Sequence, residues 1–301
     1  MKILTFSDVV KWEGYKELVD KVKPQVIALA GDLTSDGFAS FWDEALERIP
    51  AFKEELRKSG LFLDKDLHFT NIGGGKNLSI HEWTDVYYNE WLPKYKSIED
   101  KYRNSKEFEK NRKRMHVDKF YQFLRYAGKK SKVLVVKGDH DEDFKNDYIP
   151  EKINKIHGCS EISGKLVEIN GVRFLGLGFN ETHYLRILKP TIEEFKGKVD
   201  VVITHCEQRR VPLVSMLKPK IIIRGHFGYG KFLVNGIPSV FTNLVKYTTI
   251  ELRNKKIPRV SQYTVDSHGK IKLLKEASCK SLFAEVSEFE MYKWLKPYHE
   301  T

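Results

Sequence analysis

The chain has 301 residues, 41% of them hydrophobic and 31% charged, which excludes a small disulfide-stapled scaffold and a mainly disordered chain. Its 52 Lys and Arg residues outnumber 41 Asp and Glu residues and leave a net charge of +11, which favours an anionic partner such as a phosphate, a nucleotide or nucleic acid. Three widely spaced cysteines offer no disulfide framework, and no apolar run approaches the ~20 residues of a membrane span, so we expect a cytoplasmic protein with no membrane contact.

Short apolar runs predict buried strands along the chain. The first two, residues 3–6 and 26–30, flank residues 15–22, whose apolar spacing is typical of an amphipathic helix. Three further runs of the same kind are residues 133–136, 201–204 and 221–223. Because these runs are apolar throughout, they predict an α/β protein whose strands are buried on both faces of the sheet.

Each of these five strands runs into a carboxylate or an imidazole. The residues that follow the strands are Asp8, Gly31-Asp32, Gly138-Asp139-His140-Asp141, His205 and Gly225-His226. A single Asp or His at a strand end is often only a cap or a core residue. The carboxyl ends of strands in an open α/β sheet form a ligand-binding crevice, so five such ends indicate one convergent site. Asp and neutral His are donors for Mn, Fe and Zn, so we expect metal-assisted attack of water on an electrophile.

The order and spacing of these motifs resemble the calcineurin-like metallophosphoesterase superfamily, whose pattern is D-x-H, G-D, G-N-H-[DE], H and G-H-x-H. The match is carried by residues 1 to about 250 and implies a four-layer α/β/β/α sandwich. Strand-like runs at 166–169, 172–177 and 231–249, the last with a hairpin turn at Asn235-Gly236, would supply its second half. The resemblance also implies a divalent transition metal, Mn, Fe or Zn, with these metal-site residues: Asp8, Asp32, Asp139, His205 and His226.

Two departures from the family pattern remove ligands of the same metal ion. Val10 stands where the family has the His of D-x-H, and Gly228 stands where it has the second His of G-H-x-H. Neither side chain can coordinate a metal, so the first metal of the family would keep only Asp8 and Asp32. The second metal keeps a donor at all four of its positions: Asp32, Asp139, His205 and His226. We therefore expect one ion rather than two.

The resemblance gives catalytic roles to His140 and Asp141. In the family the matching His lies near the leaving-group oxygen and is oriented by the acid that follows it. The implied function is hydrolysis of a phosphomonoester or phosphodiester, in a phosphorylated small molecule or, as in a nuclease branch, in nucleic acid. One cation against Asp8, Asp32 and Asp139 would leave the pocket net negative, which keeps an alternative open. In that alternative the protein is catalytically inactive and binds nucleic acid or a protein partner.

The stretch of residues 38–131 separates the second and third motifs and predicts an inserted helical subdomain, a lid or a binding surface. The core would then consist of residues 1–37 and 132–250. Helical periodicity covers residues 41–58 and 101–125, and a capping box of Ser79 and Glu82 indicates a helix at 80–91. Basic residues alternate with aromatic ones in the second half of the insertion, which can bind nucleic acid. The simpler interpretation is an amphipathic helix with a buried aromatic face.

The insertion also offers side chains that could replace the missing metal donors. These candidates are His81, Glu82, Asp85, His116 and Asp118. Beyond the core, residues 251–301 predict a hairpin followed by a helix from about 281 to 295, both packed on the core. We find no chemistry in this C-terminal segment.

Overall fold

The structure is a computed structural model of the chain. It describes residues 1–9, 12, 14–34, 44–61, 89–90, 92–142, 147–226, 231–242, 246–252, 259–265, 271–278 and 284–285. The chain divides into two compact units, residues 1–37 with 116–301, and residues 38–115. The sequence pattern predicts that the insertion ends at residue 131, whereas residues 116–131 belong to the first unit.

The described residues form a mixed α/β fold. Its strands are, in chain order, β1 (Lys2–Phe6), β2 (Val26–Ala30), β3 (Lys132–Val136), β4 (Cys159–Glu161), β5 (Leu166–Ile169), β6 (Val172–Leu177), β7 (Val201–His205), β8 (Ile221–Gly225), β9 (Lys231–Val234), β10 (Ile237–Phe241), β11 (Lys246–Glu251), β12 (Arg259–Val265), β13 (Ile271–Ser278) and β14 (Ala284–Glu285). Its α-helices are α1 (Tyr15–Val22), α2 (Glu44–Glu47), α3 (Pro50–Lys58), α4 (Leu92–Arg103), α5 (Lys106–Arg112), α6 (Asp118–Ala127), α7 (Pro150–Asn154), α8 (Phe179–His183), α9 (Leu185–Phe195) and α10 (Val211–Ser215).

The strands form two sheets of seven. The first has the order β13-β12-β11-β1-β2-β3-β4, and the second has the order β14-β9-β10-β8-β7-β6-β5. In the first sheet, β1 to β4 pair in parallel, with Ile3 opposite Val26 and Ile27 opposite Val133. In the second sheet, β6, β7, β8 and β10 are parallel. The carboxyl ends of the central strands of each sheet therefore lie along one edge of that sheet.

The central strands bury both faces. Val26, Ala28 and Ala30 of β2 belong to an apolar cluster that also contains Ile203 and Ile223 of the second sheet. The alternate β2 residues belong to a different cluster, built with α1 and α6. Likewise, alternate residues of β7 and β8 pack with α9 and α10 in a third cluster. This double burial explains why these strands are continuous apolar runs in the sequence.

The packing of helix α6 explains why the second unit ends at residue 115 and not at the predicted residue 131. Phe120 and Phe123 on this helix are buried in the cluster that contains Leu18 of α1. The ring of Phe123 lies 4.9 Å from the ring of Trp12. The aromatic residues of α6 therefore face a core, as the simpler interpretation of the basic aromatic segment predicted.

The second unit has its own small core. Phe52 of α3 packs edge-on against Tyr102 of α4, with ring centroids 5.5 Å apart. Glu55 of α3 accepts a hydrogen bond of 2.7 Å from the Tyr102 hydroxyl. Ser105 accepts a bond of 3.1 Å from the backbone N–H of Phe108 and so caps α5. These contacts confirm helices within residues 44–58 and 92–112.

Several predicted features lie outside the described residues. They are the capping box of Ser79 and Glu82, the donor candidates His81, Glu82 and Asp85, and the two departures Val10 and Gly228. The Asn235-Gly236 hairpin is confirmed, with both residues at positive φ, 51° and 74°. The predicted C-terminal helix is wrong at its start, because Ala284–Glu285 pairs as a strand with β9. No helix in the described part of the chain is long and apolar enough to cross a bilayer.

Candidate metal centre

Four side chains at the ends of the central strands converge on one point. Each contributes one donor atom, and these atoms lie within 4.8 Å of one another in the set Asp32, Asp139, His205 and His226. Asp32 follows β2, Asp139 follows β3, and His205 and His226 come from the ends of β7 and β8. The two sheets thus contribute two carboxylates and two imidazoles, and the predicted convergence is confirmed for these four residues.

His205 is oriented by a backbone hydrogen bond. Its Nδ1 lies 2.7 Å from the carbonyl oxygen of Ala30, and because a carbonyl only accepts, Nδ1 carries the proton. The other ring nitrogen, Nε2, lies 3.0 Å from Asp139 Oδ1 and 3.4 Å from Asp32 Oδ2. A hydrogen bond that fixes one ring nitrogen and frees the other is the usual support of a metal-binding histidine.

Asp139 lies between the two imidazoles. Its Oδ1 is 3.0 Å from His205 Nε2 and 3.2 Å from His226 Nδ1. Burial opposes ionisation, but hydrogen bonds and positive charge from His205 and His226 outweigh it and hold the pKa of Asp139 well below its usual range. Burial alone would lower the pKa of His205, but Asp32, Asp139 and Asp8 raise it well above its usual value. These contacts show that the carboxylates of the centre strongly attract positive charge.

Asp8 lies beside the four donors and is not one of them. Its Oδ2 accepts a hydrogen bond of 3.2 Å from the backbone N–H of His226. Burial raises the pKa of Asp8 to about 6, and the nearby charge of Asp32 acts in the same direction, while His205 and His226 partly oppose it. Asp8 is therefore suited to exchange a proton near neutral pH beside the cluster.

Three of these residues adopt left-handed backbone conformations. The φ angles are 51° at Asp8, 55° at Asp32 and 66° at His226. Such angles are uncommon for residues with a side chain and persist where surrounding contacts enforce them. Here the Asp8 N–H bonds Gly31 O at 3.0 Å, which ties the end of β1 to the end of β2. The sharp turns aim the side chains into the space beyond the strand ends.

Asp141 has a structural role that the sequence did not predict. Its Oδ1 accepts from the N–H of Leu33 and from the N–H and hydroxyl of Thr34, at 2.7, 2.9 and 2.9 Å. Its Oδ2 accepts from the N–H groups of Asp32 and Gly138, at 3.0 and 2.9 Å. Both carboxylate oxygens are used in bracing the loops that carry Asp32 and Asp139. This structural role adds to the predicted one, and the orientation of the His140 imidazole by Asp141 stays a prediction.

His140 lies at the open side of the cluster. Its Nε2 is 3.5 Å from Asp139 Oδ2, and 30% of its side chain is exposed. Its backbone N–H donates a bond of 3.0 Å to Asp32 Oδ1. The imidazole is therefore outside the four-donor set and accessible from solvent, as a proton donor to a bound substrate must be.

Two glycines make room for the ligands. A Cβ on Gly31, whose φ is +85°, would lie 2.3 Å from His205 Nδ1. A Cβ on Gly138 would lie 2.0 Å from Asp32 Oδ1. Besides the backbone freedom that a sharp turn after a strand requires, the close approach of a ligand residue is therefore a reason for glycine at both positions.

Sequence reasoning missed two side chains near the centre. Arg224 is fully buried at the end of β8, with its guanidinium 5.0 Å from the ring of Phe241. Burial lowers the pKa of Arg224 to about 10, opposed by Cys206 and Asp8. Phe179 lies 5.6 Å from the ring of His226. The sequence could have indicated Arg224, because a charged residue follows directly on the apolar run of β8. No local sequence pattern marks Phe179.

The donor set fits one transition-metal ion. Two imidazole nitrogens and two carboxylates match the chemistry of Mn, Fe and Zn sites, and Nε2 of His205 is the ring nitrogen that could bind a metal after it loses its proton, since Nδ1 bonds Ala30. Of the insertion candidates that the structure describes, His116 is buried and Asp118 is exposed in the first unit. Neither belongs to the four-residue cluster.

Comparison with known proteins finds no family model and no curated protein that matches this chain. Among solved structures, one chain is similar with a TM-score of 0.48 and 16% sequence identity, covering 92% of this chain and 99% of its own length. Another, TT1561 of Thermus thermophilus, has a TM-score of 0.47 and 12% identity, covering 88% of this chain and 99% of its own length. Similarity at this level carries no argument about activity.

Proposed function

We propose that this protein is a metal-dependent phosphoesterase that hydrolyses a phosphomonoester or phosphodiester at a site with one divalent ion. The observation that carries the proposal is the convergence of Asp32, Asp139, His205 and His226 within 4.8 Å at the strand ends. These are the four residues that match the second metal of the calcineurin-like metallophosphoesterases. We also propose that the chain has the fold of that superfamily, a four-layer α/β/β/α sandwich. The two sheets and the helices that cover them would form the four layers.

The side chains around the four donors suit phosphoester chemistry. When bound, a divalent ion supplies Lewis acidity toward a phosphoryl oxygen and toward water. In this proposal His140 protonates the leaving oxygen, a role supported by its partly exposed imidazole, 3.5 Å from Asp139 Oδ2. In this proposal Asp8 holds or accepts a proton of the attacking water, a role supported by its pKa, which burial raises to about 6.

Charge bears on the choice of substrate. A divalent ion would face the carboxylates of Asp32 and Asp139, with Asp8 adjacent and largely ionised above its pKa of about 6. Arg224 is buried at the end of β8 and interacts electrostatically with Asp8, so it offsets part of this negative charge. The net charge of +11 over the whole chain favours approach of phosphorylated small molecules or nucleic acid.

A non-catalytic role is the second candidate, favoured by Val10 and Gly228 at two positions where the family carries histidines. In that case the centre would bind one ion for stability, and the basic insertion would bind nucleic acid or a protein partner. Turnover of a simple ester separates the two candidates.

The test is metal content together with hydrolysis. We expect about one Mn, Fe or Zn per chain by elemental analysis of protein purified without added metal, and Mn-dependent hydrolysis of p-nitrophenyl phosphate or bis(p-nitrophenyl) phosphate. His140→Ala should lower kcat by roughly 10²-fold and leave metal content unchanged, because the role proposed is proton donation. His157→Ala is the control, since His157 is an exposed histidine. Metal without turnover on either ester would favour the binding role, and absence of metal would reject the proposal.

A further inference from the structure

A series of aromatic rings runs outward from the metal centre. The ring of His226 lies 5.0 Å from that of His205 and 5.6 Å from that of Phe179. Phe179 is stacked on His183 at 5.0 Å, with 26° between the planes. His183 in turn meets Tyr184 edge-on at 5.0 Å. These spacings lie in the range of direct aromatic contact.

The rings become more exposed with distance from the centre. The side chain of His205 is fully buried and that of His226 is 13% exposed. The side chain of His183 is 37% exposed, and Tyr184 is 43% exposed as a whole residue. The outer rings therefore present aromatic surface to solvent next to a polar, ligand-binding centre. Exposed apolar surface of this kind marks a binding face when it adjoins a functional site.

Two arginines, Arg186 and Arg210, lie beside the outer rings. The guanidinium of Arg186 lies over the Tyr184 ring at 5.3 Å. Arg210 donates a hydrogen bond of 3.1 Å to the carbonyl oxygen of His183. Glu207 lies 3.6 Å from His183 Nδ1 and also pairs with Arg209, so the negative charge on this side is matched. Aromatic faces beside arginines are the chemistry that recognises a nucleobase attached to a phosphate.

We propose that Phe179, His183 and Tyr184 form a stacking platform for the nucleobase of a nucleoside monophosphate whose phosphate occupies the metal centre. The inference rests on the proposed phosphoesterase function and names its substrate class. Phe179, the innermost ring of the platform, contacts the ring of His226, so the platform adjoins the centre where the phosphate would be held. Stacking accepts any base, so the platform selects for the presence of a base and leaves its identity open.

The test compares two esters that differ only in the base, AMP and ribose 5-phosphate. Dissociation constants are measured by calorimetry on the full chain loaded with Mn²⁺, in a His140→Ala background that slows turnover. AMP should bind on the order of tenfold more tightly than ribose 5-phosphate. Tyr184→Ala should abolish most of this difference, and Tyr184→Phe should restore it. Met216→Ala is the matched control, because Met216 is an apolar residue outside the platform with similar exposure, 46%.

The other possible outcomes test the platform and the phosphoesterase function separately. Equal affinity for the two esters, or a difference that survives Tyr184→Ala, would overturn the platform. A short single-stranded oligonucleotide that binds more tightly than AMP would overturn the assignment to a free nucleotide. If both esters are hydrolysed with equal kcat/KM by the natural sequence and by Tyr184→Ala, the phosphoesterase function stands and the platform falls. If AMP binds in a Tyr184-dependent manner and neither ester is hydrolysed, the platform stands and the phosphoesterase function falls.

Discussion

At the scale of single residues, the centre depends on carboxylates with different tasks. Asp139 faces two imidazoles, whereas Asp141, two positions later, is buried and accepts five hydrogen bonds from two loops. Burial and the charge of Asp32 raise the pKa of Asp141, opposed by the backbone N–H groups. Asp141 therefore acts through the backbone, by setting where Asp32 and Asp139 stand.

Asp141→Asn tests this bracing role. The amide nitrogen would face N–H donors in place of an acceptor oxygen, so we expect unfolding free energy to fall by about 2 kcal/mol or more. Metal affinity should fall as well, because the loops carrying Asp32 and Asp139 lose their common partner. Urea denaturation of the metal-free protein and metal titration measure the two effects. The exposed Glu168→Gln is the control, and unchanged stability of Asp141→Asn would contradict the bracing role.

At the scale of elements, the turns after the strands position the centre. The turn after β2 contains Gly31, which combines positive φ with close contact to His205. The left-handed conformation alone is found elsewhere in the fold, for example at Gly171, where a Cβ would meet nothing within 4 Å. The two glycines share a positive φ and differ in whether a ligand residue fills the space of a side chain.

Gly31→Ala and Gly171→Ala separate the two effects. Both variants should lose roughly 1 kcal/mol of stability from the positive φ. Only Gly31→Ala should also weaken metal binding, by about tenfold or more, because its Cβ would lie 2.3 Å from His205 Nδ1 and must displace the ring. Metal titration after each variant is shown to be folded provides the measurement. Equal metal affinity in the two variants would show that His205 is not a ligand.

The helix α6 supports the site from a distance, through the core of the first unit. Phe123 contacts the rings of Phe6, Trp12 and Tyr15 at 5.9, 4.9 and 5.9 Å. Phe6 belongs to β1, the strand that leads to Asp8. The position of β1 therefore depends on a helix that the sequence pattern assigns to the insertion.

Phe123→Ala measures this dependence. We expect a loss of about 3 to 4 kcal/mol of unfolding free energy, as for other buried phenylalanines whose removal leaves a cavity. The neighbouring Gln122→Ala, an exposed position on the same helix, should change stability by less than about 0.5 kcal/mol. Chemical denaturation checks both. A loss below about 1 kcal/mol for Phe123→Ala would mean that α6 is not part of this core.

At the scale of the whole molecule, the number of metal ions follows from which side chains reach the centre. The described residues bring four donors together, and Val10 and Gly228 offer no side-chain ligand. A second ion would require new donors near Asp8 and Asp32. The protein as it stands is therefore expected to hold one ion tightly.

Val10→His combined with Gly228→His should create a second site. If the ligand positions correspond to those of the metallophosphoesterases, the double variant should bind about two ions per chain, about 3.5 to 4 Å apart. Elemental analysis and anomalous scattering give the count and the positions, and each single variant serves as a control. A folded double variant that still binds one ion would overturn the correspondence of residues 10 and 228.

Local patterns in the sequence were sufficient to predict the central strands, the βαβ opening and the convergence of Asp32, Asp139, His205 and His226. Buried strands leave continuous apolar runs, and residues that directly follow parallel strands meet at one edge of the sheet. The Asn235-Gly236 hairpin was predictable for a similar reason, since both residues tolerate positive φ.

Four features could be established only from packing between distant segments. They are the role of Asp141, the place of α6 in the first unit, the burial of Arg224 and the row of rings beside His226. Asp141 bonds residues more than a hundred positions away, and Phe179 meets His226 across 47 positions of sequence. Such contacts depend on how separate elements pack and leave no periodic pattern along the chain. A motif can therefore specify which side chains reach a centre, while packing alone specifies what surrounds it.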